Sequence, residues 1–290
     1  MRKEATRVLG PNHLIASHFT LTGTPAPAPP RFSFVERVEA AAAAGFDGIG
    51  LFTGHWESGM SAAQMRRIAD DHGIAVAELE WLADWWCDGE RGKQSQAAEE
   101  RMYEAADALG SRHLSIAAIF HGEHPDPAAV AECFAALCER ADQHDLLVGI
   151  EFFPGSEVRD AMAAWEIARF AGANGGVLVD SWHYFRGAAE PAHLRAIPAE
   201  RIVAIQFDDA DQEMVGTLFE DTTLRRRLPG AGSFDLAGFI RLLDEIGVQA
   251  PVSVEILSPE HQSHPVREAA RLAHDSSRAV ILRARTGQGS

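Results

Sequence analysis

The sequence predicts an α/β protein built as a single (β/α)8 TIM barrel, and three observations predict that fold. Short apolar runs alternate with longer segments of helical period, which is the pattern of repeated βα units around a parallel sheet. Eight such units can be counted, and 290 residues suit a barrel of about 250 residues with extensions. Polar residues also follow four successive predicted strands, at the end where barrels of this type place their active sites. We therefore expect one domain over 1–290, with a barrel core at about 13–283 between flexible N-terminal and Gly-rich C-terminal tails.

The first four βα units are defined by helix-start and helix-stop signals. Gly45 and Gly73 follow the first two helical segments, and glycine is the residue that most readily ends a helix in a left-handed conformation. Ser61 is a favourable N-cap for the second helix. The stretch over 83–96 is rich in charge and Trp and is predicted to be a loop. The predicted strands are 13–19, 48–52, 74–81 and 113–120, and the predicted helices are 34–44, 61–72, 97–109 and 127–143.

The last four units contain the polar strand ends. The spacing from Glu151 to Asp180 and from Asp180 to Gln206 fits a βα unit of about 25 to 35 residues. The longer spacing from Gln206 to Glu255 contains an irregular stretch, 208–232, which we predict to form part of a pocket. The predicted strands are 146–152, 177–181, 202–207 and 251–256, and the predicted helices are 159–171, 191–197, 236–246 and 266–283.

The four strand-end residues predict a divalent-metal site. A strand that is buried on both faces is continuously apolar, so a carboxylate at its end needs a partner. Glu151, Asp180 and Glu255 offer carboxylate oxygens, and Gln206 offers another oxygen if its amide presents the carbonyl. Such an all-oxygen set suits Mn²⁺ or Mg²⁺, with Zn²⁺ as a further option. The alternative is that each residue is an ordinary polar strand end that faces solvent.

Histidines and tryptophans also gather at the predicted mouth of the barrel. His18, His55 and His121 end or follow strands one, two and four, so one of them is a candidate general base and the alternative is a polar loop role. Tryptophans near strand ends would either stack on a ring-shaped substrate or roof the barrel. These are Trp56, Trp81, Trp85, Trp86 and Trp182, of which Trp81 is the candidate substrate contact.

Composition and charge exclude several classes of function. The formal net charge of −16 disfavours binding to nucleic acid and to anionic membranes. Three cysteines without a CxxC spacing favour the cytoplasm over an oxidising compartment. The sequence shows neither an apolar leader, which would predict secretion, nor a run of about 18 apolar residues, which would predict membrane insertion. Only two lysines occur, which disfavours Schiff-base chemistry, and the usual dinucleotide, P-loop and serine-hydrolase motifs are lacking.

Five motifs in the second half of the chain resemble those of one enzyme family. They read Glu151-Phe-Phe-Pro, Asp180-Ser-Trp-His183, Gln206-Phe-Asp-Asp209, Arg226-Arg-Leu-Pro-Gly-Ala-Gly232 and Val-Glu255-Ile-Leu. Their order and spacing are similar to those of the sugar phosphate isomerase/epimerase family of xylose isomerase-like barrels. Its members include ketose 3-epimerases, inosose isomerases and dehydratases, and 3-dehydroshikimate dehydratases.

The resemblance implies a ligand set for one divalent ion, which in this family is typically Mn²⁺, Mg²⁺ or Co²⁺. Glu151, Asp180, Gln206 and Glu255 would hold the ion, and the two glutamates would also act as acid and base. Ketose epimerases have His at the position of Gln206, whereas some dehydratase members share the Gln. The resemblance therefore leaves both reaction types open.

The resemblance also implies the substrate contacts. His183 and Arg226 would face substrate oxygens, with the adjacent Arg227 as an alternative to Arg226, and Glu157 matches a substrate-binding Glu of the epimerases. His18 at the same mouth is a further candidate.

The expected function is a divalent-metal-dependent isomerase or epimerase that acts on a keto-sugar or keto-polyol through a metal-bound enediolate. The alternative is a lyase or dehydratase that acts on a cyclic hydroxy-ketone, which Gln206 and the Trp-rich loops favour. Two further alternatives are a DNA-repair enzyme that acts at abasic sites, which the net charge disfavours, and a sugar-binding barrel without activity. A small-molecule substrate is the expected partner, without nucleic acid or membrane, and a homodimer is the default oligomeric state.

Overall fold

Eight parallel strands pair in sequence order and close into a barrel, because the first strand also pairs with the eighth. The structure is a computed structural model that describes residues 8–56, 59–117, 120 and 122–287. The strands are β1 Leu14–Ala16, β2 Gly48–Phe52, β3 Ala75–Leu82, β4 His113–Ala117, β5 Leu147–Glu151, β6 Gly175–Asp180, β7 Ile202–Phe207 and β8 Val252–Val254. The predicted (β/α)8 TIM barrel is confirmed. Residues 1–7 and 288–290 of the predicted tails, and His121, lie outside the described residues, and the last helix continues to Thr286, beyond the predicted end of the core at about 283.

Helices surround the barrel and follow the strands in the order that the βα pattern predicts. They are α1 Phe34–Ala44, α2 Ala62–Asp71, α3 Gly89–Leu109, α4 Pro127–Asp142, α5 Ala161–Ala168, α6 Ser181–Arg186, α7 Pro191–Arg195, α8 Leu218–Leu224, α9 Leu236–Ile246, α10 Pro259–Ser263 and α11 Val266–Thr286. The last helix, α11, packs against both α1 and α9 and so completes the outer ring. In the described part of the chain, no helix combines the length and the apolar character that crossing a membrane requires.

Local signals fix both ends of α1, and the stop at Gly45 was predicted. In α1 the Ser33 side chain accepts a hydrogen bond from the Glu36 N–H while the Glu36 carboxylate accepts one from the Ser33 N–H, which is a capping box. The helix ends at Gly45, whose φ of 97° requires a residue that tolerates the left-handed region. The limits of α1, β2, β7 and α9 agree with the predicted ones.

Several stretches differ from the prediction, and the largest differences concern helices. Helix α3 begins at Gly89, within the predicted loop 83–96, whose polar residues show no apolar repeat. The stretch 208–232, predicted to be irregular, contains α8, which begins at a capping box between Thr217 and Glu220. Helix α6 directly follows β6, where the sequence predicts a loop.

Two carboxyl groups lie inside the barrel, where branched apolar side chains are usual. Glu78 and Glu80 of β3 are 2% and 3% exposed, and the hydroxyl of Ser253 donates to Glu78 Oε1 over 2.7 Å. A Cβ at Gly50 of the neighbouring strand would lie 2.5 Å from Glu78 Oε1 and 2.8 Å from Glu80 Oε1. Glycine at that position therefore makes room for the two carboxyl groups.

An apolar layer between strands and helices holds the strand ends in place. Phe34 of α1, Phe134 of α4 and Phe239 of α9 are at most 2% exposed. Each contributes about 1.5–3 kcal/mol by burial of its side chain. The C-terminal strand ends consequently project from a rigid scaffold, which is where functional side chains are held most accurately.

Candidate metal and substrate site

A cavity of about 440 Å³ opens at the C-terminal ends of the strands, where active sites of such barrels lie. Its lining includes three of the four predicted ligands, Glu151, Gln206 and Glu255. The fourth, Asp180, is fully buried and bonds to Arg226, another residue of the lining. The structure therefore brings the four predicted ligands to one end of the barrel.

Asp180, Glu151 and His183 form a compact group. The Asp180 carboxylate caps α6 by accepting a hydrogen bond from the His183 N–H over 3.1 Å. This first helical turn places the imidazole Nε2 at 3.0 Å from Glu151 Oε1 and 3.9 Å from Asp180 Oδ2. One potential ligand atom from each of the three residues lies within 4.8 Å of the others. His183, predicted as a substrate contact, is thus also a candidate metal ligand.

Gln206 carries a buried carbonyl oxygen that the rest of the described chain leaves unpaired. Its amide Nε2 donates to Glu255 Oε1 over 3.4 Å, while its Oε1 has no hydrogen-bond partner among the described residues. An unpaired buried acceptor costs about 1–3 kcal/mol, so a group that binds it is expected. A divalent cation is one such group, because carboxylate and amide oxygens suit it. Among the described acids and histidines, Glu151, Asp180 and His183 bring ligand atoms within 4.8 Å of one another, and Glu255 is not part of that group.

Arg226 links several buried acids. Its Nη1 donates to Asp180 Oδ2 over 2.6 Å and to Asp208 Oδ2, and lies 3.0 Å from Glu255 Oε2. Its Nε and Nη2 donate to the carbonyl and hydroxyl oxygens of Thr222, each over 2.9 Å. All five groups are at most 6% exposed. The guanidinium therefore fixes the orientation of three carboxyl groups at the site.

These contacts set the direction of the pKa shifts. Burial alone would raise the pKa of Asp180, but the charges of Arg226 and His183 outweigh it and lower that pKa. Burial raises the pKa of Glu255 well above its usual range, and neighbouring acids add to the effect. Burial also raises the pKa of Asp208 well above its usual range. The described acids that contact Arg226 therefore outnumber it, and burial favours the protonated form of two of them.

Glu80 and Ser17 are functional candidates that the sequence analysis missed. Glu80 lines the cavity, and the Ser17 hydroxyl lies 3.1 Å from both Glu80 Oε1 and Glu255 Oε1. Burial and the charge of Glu78 raise the pKa of Glu80 well above its usual range. The Ser17 hydroxyl can donate its single hydrogen to only one of these two carboxyl groups. A protonated Glu80 could donate a hydrogen bond to Ser17 Oγ while the Ser17 hydroxyl donates to Glu255. The available signal was two acids, Glu78 and Glu80, at alternate positions of an apolar strand.

The remaining predicted substrate contacts differ in position. Trp81 lines the cavity at 38% exposure and stacks on Phe52 with ring centres 5.0 Å apart. Glu157 does not line the cavity, and its Oε1 lies 3.0 Å from His124 Nδ1. Arg227 is exposed and paired with Asp211, which leaves Arg226 as the arginine at the site.

His18 is buried next to the site without lining the cavity. Its Nε2 lies 3.0 Å from His55 Nδ1 and its Nδ1 lies 3.1 Å from Arg37 Nη1, while its N–H donates to Glu80 Oε1 over 3.1 Å. Burial and the charge of Arg37 lower its pKa well below the usual range. The imidazole of His18 is therefore neutral at neutral pH, and its main contact with the site is through the backbone.

Comparison with known proteins identifies related sequences. Residues 38–276 match the family model described as "Xylose isomerase-like TIM barrel". A 3-dehydroshikimate dehydratase of Pseudomonas aeruginosa is 31% identical over 242 residues, which are 80% of this chain and 37% of the dehydratase. An inosose isomerase of Bacillus velezensis is 27% identical over 154 residues, which are 52% of this chain and 54% of the isomerase. The chain thus spans little more than a third of that dehydratase and about half of that isomerase.

A solved structure shares the architecture over nearly the whole chain. It is a xylose isomerase-like TIM barrel/4-hydroxyphenylpyruvate dioxygenase fusion protein with a TM-score of 0.83 and 25% identity. The similarity covers 95% of this chain and 44% of the fusion protein. It therefore concerns one part of that protein.

Proposed function

The chain belongs to the xylose isomerase-like TIM barrel family, and we propose that it is a divalent-metal-dependent isomerase or epimerase of a small keto-sugar or keto-polyol. The observation that carries the proposal is the surplus of buried acid groups at the cavity beside an unpaired oxygen of Gln206. A barrel without a ligand at this position would gain no stability from such a cluster, because unpaired buried charge is costly.

The proposed ligands are the four strand-end residues, Glu151, Asp180, Gln206 and Glu255. Their oxygen donors suit Mn²⁺ or Mg²⁺, and His183 offers a nitrogen that would suit Zn²⁺ or Co²⁺. When bound, such an ion would polarise the ketone and make the neighbouring C–H more acidic.

Two glutamates would move the proton in the proposed reaction. Glu151 ends β5 and Glu255 directly follows β8, three strands further around the ring, and both line the cavity. We assign removal of the proton to one of these carboxylates and its return to the other, which changes the configuration or moves the carbonyl. His183, at 3.0 Å from Glu151 Oε1, would hold the proton that this carboxylate gives up or takes.

A second candidate function is dehydration of a cyclic hydroxy-ketone. The similarity to the Pseudomonas aeruginosa dehydratase covers more of this chain than the similarity to the inosose isomerase does, which supports it. One carboxylate would remove the proton beside the ketone, and the other would give a proton to the departing β-hydroxyl group, which leaves as water, so that no proton returns to carbon.

Proton NMR in heavy water tests both candidates. Metal-loaded and chelator-treated protein would be incubated with free ketoses, inososes and 3-dehydroshikimate. Metal-dependent entry of deuterium beside the ketone without a new alkene supports the isomerase, and an alkene with loss of water supports the dehydratase. Glu255→Gln should abolish exchange, whereas Glu157→Gln, the same change outside the cavity, should leave it intact. Exchange that persists in Glu255→Gln, or that does not depend on metal, would contradict the proposed mechanism.

A further inference from the structure

We propose that His55 is a positioning residue that holds a strap, residues 23–30, against the mouth of the cavity, and that a proton taken up by His55 releases the strap. Release would open one wall of the cavity. The strap would behave in this way whichever reaction the site performs.

The strap forms part of the cavity wall and is stiff. Ala26 and Pro27 line the cavity. Four of the eight strap residues are prolines, whose rings fix φ and leave few ways to bend the chain. The Thr24 hydroxyl also donates to the Pro29 carbonyl over 2.9 Å. The strap is therefore expected to move as one body about its two ends.

One hydrogen bond joins the strap to the rest of the barrel in the described part of the chain. The imidazole Nε2 of His55 lies 2.8 Å from the Pro27 carbonyl oxygen. All other described hydrogen bonds of residues 23–30 are with one another or with the adjacent Thr22. The Arg31 N–H closes the base of the strap by donating to the Thr22 carbonyl over 2.8 Å. His55 therefore fixes the position of the strap over the mouth.

A chain of hydrogen bonds with one possible direction orients His55. Arginine only donates, so His18 Nδ1 accepts from Arg37 Nη1 across 3.1 Å. A neutral imidazole whose Nδ1 accepts carries its hydrogen on Nε2, so His18 donates to His55 Nδ1 across 3.0 Å. His55 then carries its hydrogen on Nε2 and donates to the Pro27 carbonyl, which can only accept. Both ends of the chain thus require two neutral imidazoles in the Nε2–H form.

An additional proton cannot be placed in this chain without two N–H groups facing each other. On His18 Nδ1 the proton would face Arg37, and burial together with the charge of Arg37 lowers the pKa of His18 well below its usual range. The proton therefore goes to Nδ1 of His55, which is half-buried. There it would face the His18 N–H across 3.0 Å. The His55 ring would have to leave this position, and the strap would lose its fixed attachment.

The surroundings of the two rings favour the neutral form at His18 and leave His55 as the group that titrates. Besides His18, the described rings packed on His55 are those of Phe19 and Phe52, which carry no charge. The charged or titratable groups that face the chain from other described elements are Arg37 of α1 and Glu80 of β3, which accepts the His18 backbone N–H over 3.1 Å. Histidine side chains titrate within about pH 5 to 8, so release is expected in that range.

Histidine tautomers provide the first test. Nitrogen NMR of protein labelled with ¹⁵N-histidine distinguishes a ring nitrogen that carries hydrogen from one that does not, and His18→Gln and His55→Gln identify the two sets of signals. At about pH 8 both rings should be in the Nε2–H form. His55 should gain its second proton before about pH 5.5 is reached. An Nδ1–H form of either ring at about pH 8, or a His55 that stays neutral to about pH 5.5, would overturn the proposal.

The rate of thiol labelling provides the second test. Ala26, half-buried in the cavity wall, would be replaced by cysteine in the unchanged protein and in the variants His55→Phe and His55→Gln. Alkylation by iodoacetamide would be followed by mass spectrometry of peptides, which separates this thiol from the native cysteines. Rates are compared between proteins at one pH, so that the thiolate content of the reporter cancels.

The three proteins should respond differently to pH. At about pH 8, His55→Phe should react about fivefold faster than the protein with His55, a factor that corresponds to the net free energy of about 1 kcal/mol for one hydrogen bond. At about pH 5.5 this difference should disappear, because the proton has released the strap. His55→Gln keeps an N–H donor that does not titrate, so it should react slowly at both pH values.

The outcomes that contradict the proposal are specific. They are equal rates for His55→Phe and His55 at about pH 8, a fivefold difference that persists at about pH 5.5, or fast labelling of His55→Gln at about pH 8. Circular dichroism would establish that each variant folds. If His55→Phe does not fold, the comparison at about pH 5.5 between His55 and His55→Gln still decides: the protein with His55 should react faster, and equal rates would refute release by the proton.

Discussion

Replacement of Arg226 by Met should remove about 3–5 kcal/mol from the free energy of unfolding of the metal-free protein. The guanidinium is 2% exposed and its carboxyl partners, Asp180, Asp208 and Glu255, are at most 5% exposed. Methionine keeps an unbranched apolar side chain in place of the aliphatic part of arginine and removes its charge and its donors. The large loss follows because the acids stay buried without their cation, which costs more than the ion pairs contribute.

The assay is urea unfolding followed by tryptophan fluorescence at pH 7 in the presence of a chelator. Arg226→Lys is the matched control, since it keeps the charge but not the planar pair of donors, and should lose less. The double variant Arg226→Met with Asp208→Asn should lose less free energy of unfolding than the sum of the losses in the two single variants. Asp208→Asn removes one of the acids that Arg226→Met leaves buried without a cation. A loss below about 1 kcal/mol for Arg226→Met, or strict additivity in the double variant, would refute the reasoning.

Two further predictions concern the carboxyl groups inside the barrel. Burial and the charge of Glu78 raise the pKa of Glu80, so the folded protein keeps a proton that the unfolded chain releases. The free energy of unfolding therefore falls as the pH rises above about 4.3, the ordinary pKa of a glutamate in an unfolded chain. Glu80→Gln should therefore flatten the fall in the urea midpoint between about pH 5 and pH 8, and an unchanged slope would contradict the shift. Gly50→Ala should cost about 1–3 kcal/mol by thermal unfolding, because its Cβ would meet both carboxyl groups. A change of less than about 0.5 kcal/mol would mean that the two groups move aside easily.

The fold was largely predictable because each βα unit carries its own local signals. Ser33, Glu36 and Gly45 define α1 without help from tertiary contacts, and the apolar run of β7 is unambiguous. The start of α3 was not predictable, since its first two turns are polar and contain two glycines. There the tertiary context extends the helix: the Ser95 hydroxyl donates to the Ala83 carbonyl across the preceding loop over 2.7 Å.

The position of the site was predictable, and the connections within it were not. A polar residue after a buried strand marks the mouth of the barrel, which is why Glu151, Gln206 and Glu255 meet at one cavity. Sequence separation does not reveal that Ser17 bridges Glu255 and Glu80, which are far apart along the chain. Such contacts depend on closure of the barrel, which pairs β1 with β8.

Side-chain direction limited the prediction for residues near the ends of strands. Six residues separate Glu151 from Glu157, and the turn between them directs Glu157 to His124 rather than to the cavity. Asp209 ends one of the five motifs, but its carboxylate accepts hydrogen bonds from the N–H groups of Gly230, Gly232 and Phe234. It therefore shapes the loop that leads to α9.

Metal content is the measurement that tests the central claim most directly. Protein dialysed against Mn²⁺ and then against metal-free buffer would be analysed for bound metal per chain. The account predicts one ion per chain for the unchanged protein and for the control Glu157→Gln, and loss of that ion in Glu151→Ala and Asp180→Asn. Failure to retain any of Mn²⁺, Mg²⁺, Co²⁺ or Zn²⁺, or retention unaffected by both ligand changes, would contradict it.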